Sequence, residues 1–107
     1  EATVRLRLDG ELVDATGEGN GPVNALDAAL RQALGGRYPS LERLRLTDYK
    51  VRVLETSRGT GAVTRVLIDS TDGERSWSTI GVSENIIEAS WQALVDSFVF
   101  GLLHAAD

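Results

Sequence analysis

Few residues in this chain have types and spacing that could do chemistry. His104 is the single histidine and cysteine is absent, so the sequence offers no two-histidine or thiolate metal site, no disulfide, and no Ser-His-Asp arrangement with a second base. Sixteen acidic side chains are scattered over expected turns and solvent faces, where a carboxylate serves solubility more often than acid–base catalysis. The segment best suited to recognition is Gly17-Glu18-Gly19-Asn20-Gly21-Pro22. Its exposed backbone N–H groups, followed by a helix start, can hold a carboxylate or a phosphate. No Lys-Ser or Lys-Thr follows, and the glycines do not fall as Gly-x-Gly-x-x-Gly, so a nucleotide loop is not indicated. On general grounds alone, a simple capping turn explains the segment at least as well.

The bulk properties fit one globular domain: 107 residues, 42% hydrophobic and 25% charged. Such a chain buries one core and keeps little interior room for an elaborate active site. The formal charge is −5, without a Lys/Arg block, so nucleic acid is not expected as a partner. No apolar run approaches the ~18 residues of a membrane span, and the first residues lack the order of a signal peptide. The expectation is a soluble, cytoplasmic protein with no membrane partner.

The elements that must position these residues read as follows. Val4, Leu6 and Leu8 alternate with Arg5 and Arg7, and Asp9-Gly10 turns the strand back into Glu11 to Thr16 as a hairpin. Asn20 or Gly21 caps a helix with Pro22 in its first turn, Val23, Leu26, Leu30 and Ala33 on its inner side, Asp27 and Arg31 outside, and Gly35-Gly36 as its stop. Leu41 to Leu54 is strand-like, with Tyr49, Val51 and Val53 alternating against Lys50 and Arg52. Ser57-Arg58-Gly59 returns the chain into Ala62 to Ile68, and Thr71-Asp72-Gly73 leads into a strand over Arg75 to Val82, with Trp77 and Thr79 on one face. The last element is a helix from about Glu84 to Leu103 with Ser83 as N-cap. Its polar stripe, Glu88, Gln92 and Asp96, is narrow. Ile86, Ile87, Trp91, Leu94, Val95, Phe98, Leu102 and Leu103 wrap the rest, more than one sheet face needs, which implies a second contact surface.

The chain also repeats itself. Gly17, Ala25, Ala29 and Leu30 recur at one constant offset as Gly81, Ala89, Ala93 and Leu94, and Asp9-Gly10-Glu11 recurs, a single position out of step, as Asp72-Gly73-Glu74. Each copy runs from a hairpin into a helix, which points to an α+β domain of repeated hairpin-plus-helix units with internal pseudo-twofold symmetry.

Gly19-Asn20-Gly21-Pro22-Val23, Leu46-Thr47-Asp48-Tyr49, the Gly61-to-Val66 strand and, above all, the run from Trp77 to Trp91 resemble the C-terminal regulatory domain of the citramalate and 2-isopropylmalate synthases, the allosteric LeuA dimer type. The resemblance covers nearly the whole chain, and Ser83 to Trp91 is closer to the citramalate branch. It implies a single two-layer regulatory domain over 1–107, with repeats at about 1–36 and 41–104, that forms a homodimer. The same resemblance puts catalysis in a TIM barrel absent from this chain, which condenses acetyl-CoA with a 2-oxo acid using a divalent metal. It implies no cofactor in this domain and a branched-chain amino acid bound near the dimer interface. Isoleucine is the effector implied for the citramalate branch and leucine for the 2-isopropylmalate branch. A purely structural dimerisation module is the remaining alternative. Carried over by position, Asn20, Gly21 and Val23 match the effector-binding turn and helix start, while Asp48 and Tyr49 match an Asp-Tyr strand motif. Backbone groups around Gly21 are then expected to meet the effector carboxylate. Val23, Leu46, Tyr49 and Val53 are expected to line an aliphatic pocket, with Ala62, Thr64 and Ile86 as further contacts. Core burial accounts equally well for Leu46, Val53 and Ile86.

Overall fold

The computed structural model describes residues 2–8, 10–19, 21–34, 37–55 and 62–104. The chain divides into two compact units, Glu1–Pro39 and Ser40–Asp107.

In the first unit, β1 (Ala2–Leu8) pairs antiparallel with β2 (Glu11–Gly17), and α1 (Pro22–Leu34) packs on them. The register ends at Leu8 opposite Glu11, leaving the expected two-residue loop, and Gly10 takes φ +86° as such loops require. Asp9 and the expected helix stop at Gly35-Gly36 lie outside the described residues. Period-two alternation sends Val4 and Ala15 inward, where they meet a helix face on which Val23, Leu26, Leu30 and Ala33 are all buried. Each fully buried aliphatic side chain contributes roughly 1.5–3 kcal/mol. The outer face is polar apart from the exposed Leu12. Thr3 and Thr16 bond through their hydroxyls at 3.1 Å, and Arg5 meets Asp14 at 2.8 Å. That hydrogen bond holds the exposed Asp14 carboxyl below its ordinary range.

In the second unit, a short 3₁₀ turn (Pro39–Arg43) leads into β3 (Arg45–Glu55), β4 (Ala62–Thr71) and β5 (Ser76–Ser83), an antiparallel sheet in that order, followed by α2 (Ile86–His104). The expected strand start at Leu41 is therefore corrected. Leu41 and Leu44 are both buried and three residues apart, joined by Leu44 N–H donating to the Leu41 carbonyl at 3.1 Å. That spacing suits one 3₁₀ turn rather than strand alternation. The expected turn at Ser57-Arg58-Gly59 lies outside the described residues. In the β4–β5 loop, Asp72 Oδ1 accepts from the backbone N–H groups of Arg75 (2.8 Å) and Glu74 (2.9 Å), which lowers the Asp72 pKa from its ordinary value.

The start of α2 also needs correcting. Asn85, not Ser83, is the N-cap: its Oδ1 accepts from the N–H groups of Ile87 (2.7 Å) and Glu88 (3.3 Å). Ser83 instead accepts from Asn85 N–H and donates to Glu88. Losing a side-chain cap costs about 1 kcal/mol. Asn85→Ala is therefore expected to lower the thermal midpoint by roughly 4–8 °C, as a melt would show.

By length and mean hydropathy (1.4) α2 meets the criterion for a membrane span, contrary to the expectation that no segment approaches it. Within the unit, however, it is a core helix over β4 and β5, with Ala89, Ser90, Ala93, Leu94, Ser97, Phe98 and Gly101 buried. Hydrogen bonds tie it to the strands. Thr79 Oγ1 donates to the Ala93 carbonyl (2.7 Å), Trp77 Nε1 donates to the Ser97 carbonyl (3.2 Å), and the Ser70 and Ser97 hydroxyls lie 2.5 Å apart. Among the described residues, no buried side-chain polar atom lacks a partner.

The repeat holds at the level of elements. Ala2 faces Gly17 across the first hairpin, and at the offset of the repeat Val66 faces Gly81. Likewise, α1 begins at Pro22 and α2 at Ile86. The slip of the Asp-Gly-Glu turns has a cause. The first hairpin closes with two loop residues and the second with four, between Thr71 and Ser76, while the strands keep step. Each copy also makes the same close strand–helix contact, Gly17 on Ala25 and Ala29, and Gly81 on Ala89 and Ala93.

Candidate functional site

The helix-facing side of the second sheet is set by register. A bulge between Leu46 and Asp48 shifts the alternation, so Leu46, Tyr49, Val51 and Val53 stand opposite Ser70, Ile68, Val66 and Thr64, the buried row of β4. α2 covers β5 and β4 but hardly reaches β3. An apolar shelf is left beside the helix start. Val51 is 40% and Val53 61% exposed, Ala62 is open, and Thr64, only 8% exposed, lies at the floor. Chain connectivity brings Ile86 and Ile87, 38% and 47% exposed, to the same end of the sheet, since Ser83 pairs with Thr64 just before α2 begins. Half-buried Tyr49 closes the other end, its hydroxyl 3.2 Å from Ser90 Oγ. A ledge of aliphatic side chains ended by an aromatic ring suits a small branched apolar group.

Asp48 is not on this shelf. The bulge turns it to the opposite face, exposed, where its Oδ1 accepts from Tyr49 N–H at 2.8 Å and its carboxylate lies 3.5 Å from Lys50. That face carries a groove of about 330 Å³ lined by Lys50, Val51, Arg52, Arg65 and Leu67. A cavity beside the 3₁₀ turn, bounded by Leu41, Arg43, Asp72 and Gly101, is only about 20 Å³, room for one water.

In the first unit, Gly21 precedes α1 with φ +88°, and its carbonyl accepts from Ala25 N–H at 3.3 Å. Gly21 corresponds to Asn85 in the second copy, so the second helix start is filled by a capping side chain while Gly21 has none to bring. Val23 is buried in the core at 6% exposure. Asn20 lies outside the described residues.

The profile of the LeuA allosteric (dimerisation) domain matches residues 1–100. The chain belongs to that family. Relatives of this LeuA domain include the (R)-citramalate synthase of Streptomyces coelicolor, 59% identical over 98% of the chain and 20% of the relative, and that of Aquifex aeolicus, 58% identical over 96% of the chain and 20% of the relative. The 2-isopropylmalate synthase of Shewanella sediminis is 35% identical over 99% of the chain and 18% of the relative. The chain thus spans about a fifth of the length of these curated relatives.

Of the LeuA-domain residues singled out from sequence, Tyr49, Val53, Ala62 and Thr64 share the shelf, and Ile86 sits at its helix end. Leu46 is on the same face but beyond Tyr49, while Asp48 is on the other. Sequence reasoning passed over Val51, although the alternation Tyr49, Val51, Val53 contained it. It also missed Ser90, whose signal is a hydroxyl on the inner face of an apolar helix.

Proposed function

We propose that this LeuA domain is the amino-acid-sensing and dimerising part of a citramalate synthase, and that isoleucine is its effector. The carrying observation is the open aliphatic shelf of Val51, Val53, Ala62 and Ile86 closed by Tyr49, in a domain whose relatives near 60% identity are (R)-citramalate synthases. The 2-isopropylmalate synthase match, at 35%, makes leucine the second reading. On this proposal the branched side chain lies on the shelf. The α1 start, with Asn20, Gly21 and Val23, is proposed on its own local geometry as the carboxylate-binding element, because Gly21 leaves the helix end uncovered by its own side chain.

Residues 1–107 act on this reading as one regulatory domain without catalysis of their own. Acetyl-CoA and pyruvate are condensed by a metal-dependent barrel elsewhere in the parent protein, in the cytoplasm. Homodimerisation draws support from apolar surface left open on the second unit: Ile80 and Val82 on the outer sheet face and Val99 and Leu103 on α2 are 47–72% exposed. Arg52 and Arg65 stand opposite each other on that outer face, a like-charge pairing that carboxylates of a second chain would offset. Feedback inhibition needs isoleucine to prefer the less active arrangement by only about 1–3 kcal/mol.

The test is release of CoA from acetyl-CoA and pyruvate by the full-length protein carrying this chain. Isoleucine is expected to inhibit, with leucine and valine weaker. Inhibition by leucine alone would move the protein to the 2-isopropylmalate branch, and indifference to all three would leave only a structural dimerisation module.

A further inference from the structure

The two copies of the repeat share a framework but differ in the chemistry of the seam between strands and helix. Where the second unit has Ser70, Trp77, Thr79, Ser90 and Ser97, the equivalent positions of the first copy hold Leu6, Val13, Ala15, Leu26 and Ala33. The first seam is apolar. In the second, Ser90 and Ser97 are 0% exposed, and each hydroxyl has a defined partner. A buried serine is tolerated only when it is bonded, so such a seam holds a helix in one register and resists other registers. Ser90 is distinctive among these residues. Its partner, Tyr49, belongs to β3, the strand of this sheet that α2 hardly touches. Tyr49 is also the ring that ends the shelf. One side chain therefore borders both the shelf and the second turn of α2.

We propose that the Tyr49–Ser90 hydrogen bond is the positioning link through which a ligand on the β3 shelf sets the placement of the first two turns of α2. The proposal rests on the reading that the shelf binds an amino acid. An aliphatic group packed on the Tyr49 ring shields the hydroxyl pair from water. The bond strengthens in that drier surrounding, and Ile86 to Ala93 become more firmly held. Ser97, at the far end of the seam, lies beyond the shelf and serves as a control.

Tyr49→Phe keeps the ring and loses the bond, and Ser90→Ala loses the bond from the other side. Amide hydrogen exchange over residues 86–93 in the full-length protein, with and without isoleucine, reads the link separately from affinity. In the wild type isoleucine is expected to slow exchange there about tenfold. Ser90→Ala, which lies outside the shelf, should bind isoleucine within about threefold of wild type; at saturating isoleucine both variants should show less than about a twofold slowing, and the double variant should respond no less than either single one. Ser97→Ala should lower the thermal midpoint while keeping the response. Binding with an intact exchange response in Tyr49→Phe and Ser90→Ala would overturn the link alone. A folded wild type that binds no isoleucine, leucine or valine would overturn the link together with the reading beneath it.

Discussion

Gly81→Ala is expected to destabilise the second unit by about 3 kcal/mol or more, a large share of the 5–15 kcal/mol typical of a whole domain. A β-carbon at Gly81 would overlap the Ala89 carbonyl oxygen and lie 2.9 Å from the Ala89 carbonyl carbon and 3.0 Å from Ala93 N. All three are backbone atoms of α2, so no side chain can rotate away, and relief requires moving the helix off β5. That movement would break the bonds from Thr79 to Ala93 and from Trp77 to Ser97. Gly17→Ala should act likewise in the first unit, where the added carbon would meet backbone atoms of Ala25 and Ala29. Gly73→Ala is the control. Gly73 has φ +98° but open space around it, so the cost is confined to backbone strain of about 1 kcal/mol. Urea unfolding of the three variants should rank Gly73→Ala well above the other two in remaining stability. Equal losses would refute the close strand–helix contacts.

The second large effect concerns binding rather than folding. Val53 is 61% exposed, so Val53→Glu should change stability by no more than about 0.5 kcal/mol. On the proposed shelf, however, it puts a carboxylate against the aliphatic group of the ligand, where desolvation and repulsion of the ligand's own carboxylate both oppose binding. A loss of at least about tenfold in isoleucine affinity is expected, equivalent to about 1.4 kcal/mol. Calorimetry on the full-length protein, with a thermal melt of the same sample, separates the two quantities. Unchanged affinity at unchanged stability would remove Val53, and with it the shelf, from the binding site.

Much of this arrangement was legible in the sequence. Alternation in β1 and β5 and helical spacing in α1 each point to one burial face, and the structure uses those faces. In α2 the buried side carries small residues, Ala89, Ser90, Ala93 and Ser97, beside Leu94 and Phe98, while Ile86, Ile87 and Leu103 of the expected apolar wrap stay exposed. The offset linking Gly17, Ala25 and Ala29 to Gly81, Ala89 and Ala93 marked a tight contact that each unit makes. Local ambiguities were harder. Leu41 and Leu44 fit a strand by composition, and only their joint burial selects a turn. Ser83 and Asn85 are both good caps, and the choice depends on which carbonyl starts the helix, here Asn85 bonded by Ala89 N–H at 3.0 Å. Asp48 and Tyr49 look like one motif along the chain, but neighbours in a strand point to opposite faces, and the bulge after Leu46, which no residue type announces, puts Tyr49 rather than Asp48 on the face of Leu46. The Tyr49–Ser90 pair joins residues far apart in the chain and becomes visible only once β3 lies beside α2.

The most direct test of the central claim is a calorimetric titration of the purified protein with isoleucine, leucine and valine, with sedimentation on the same samples. The account predicts saturable binding to a dimer, tightest for isoleucine. A well-folded dimer that binds none of the three would contradict it.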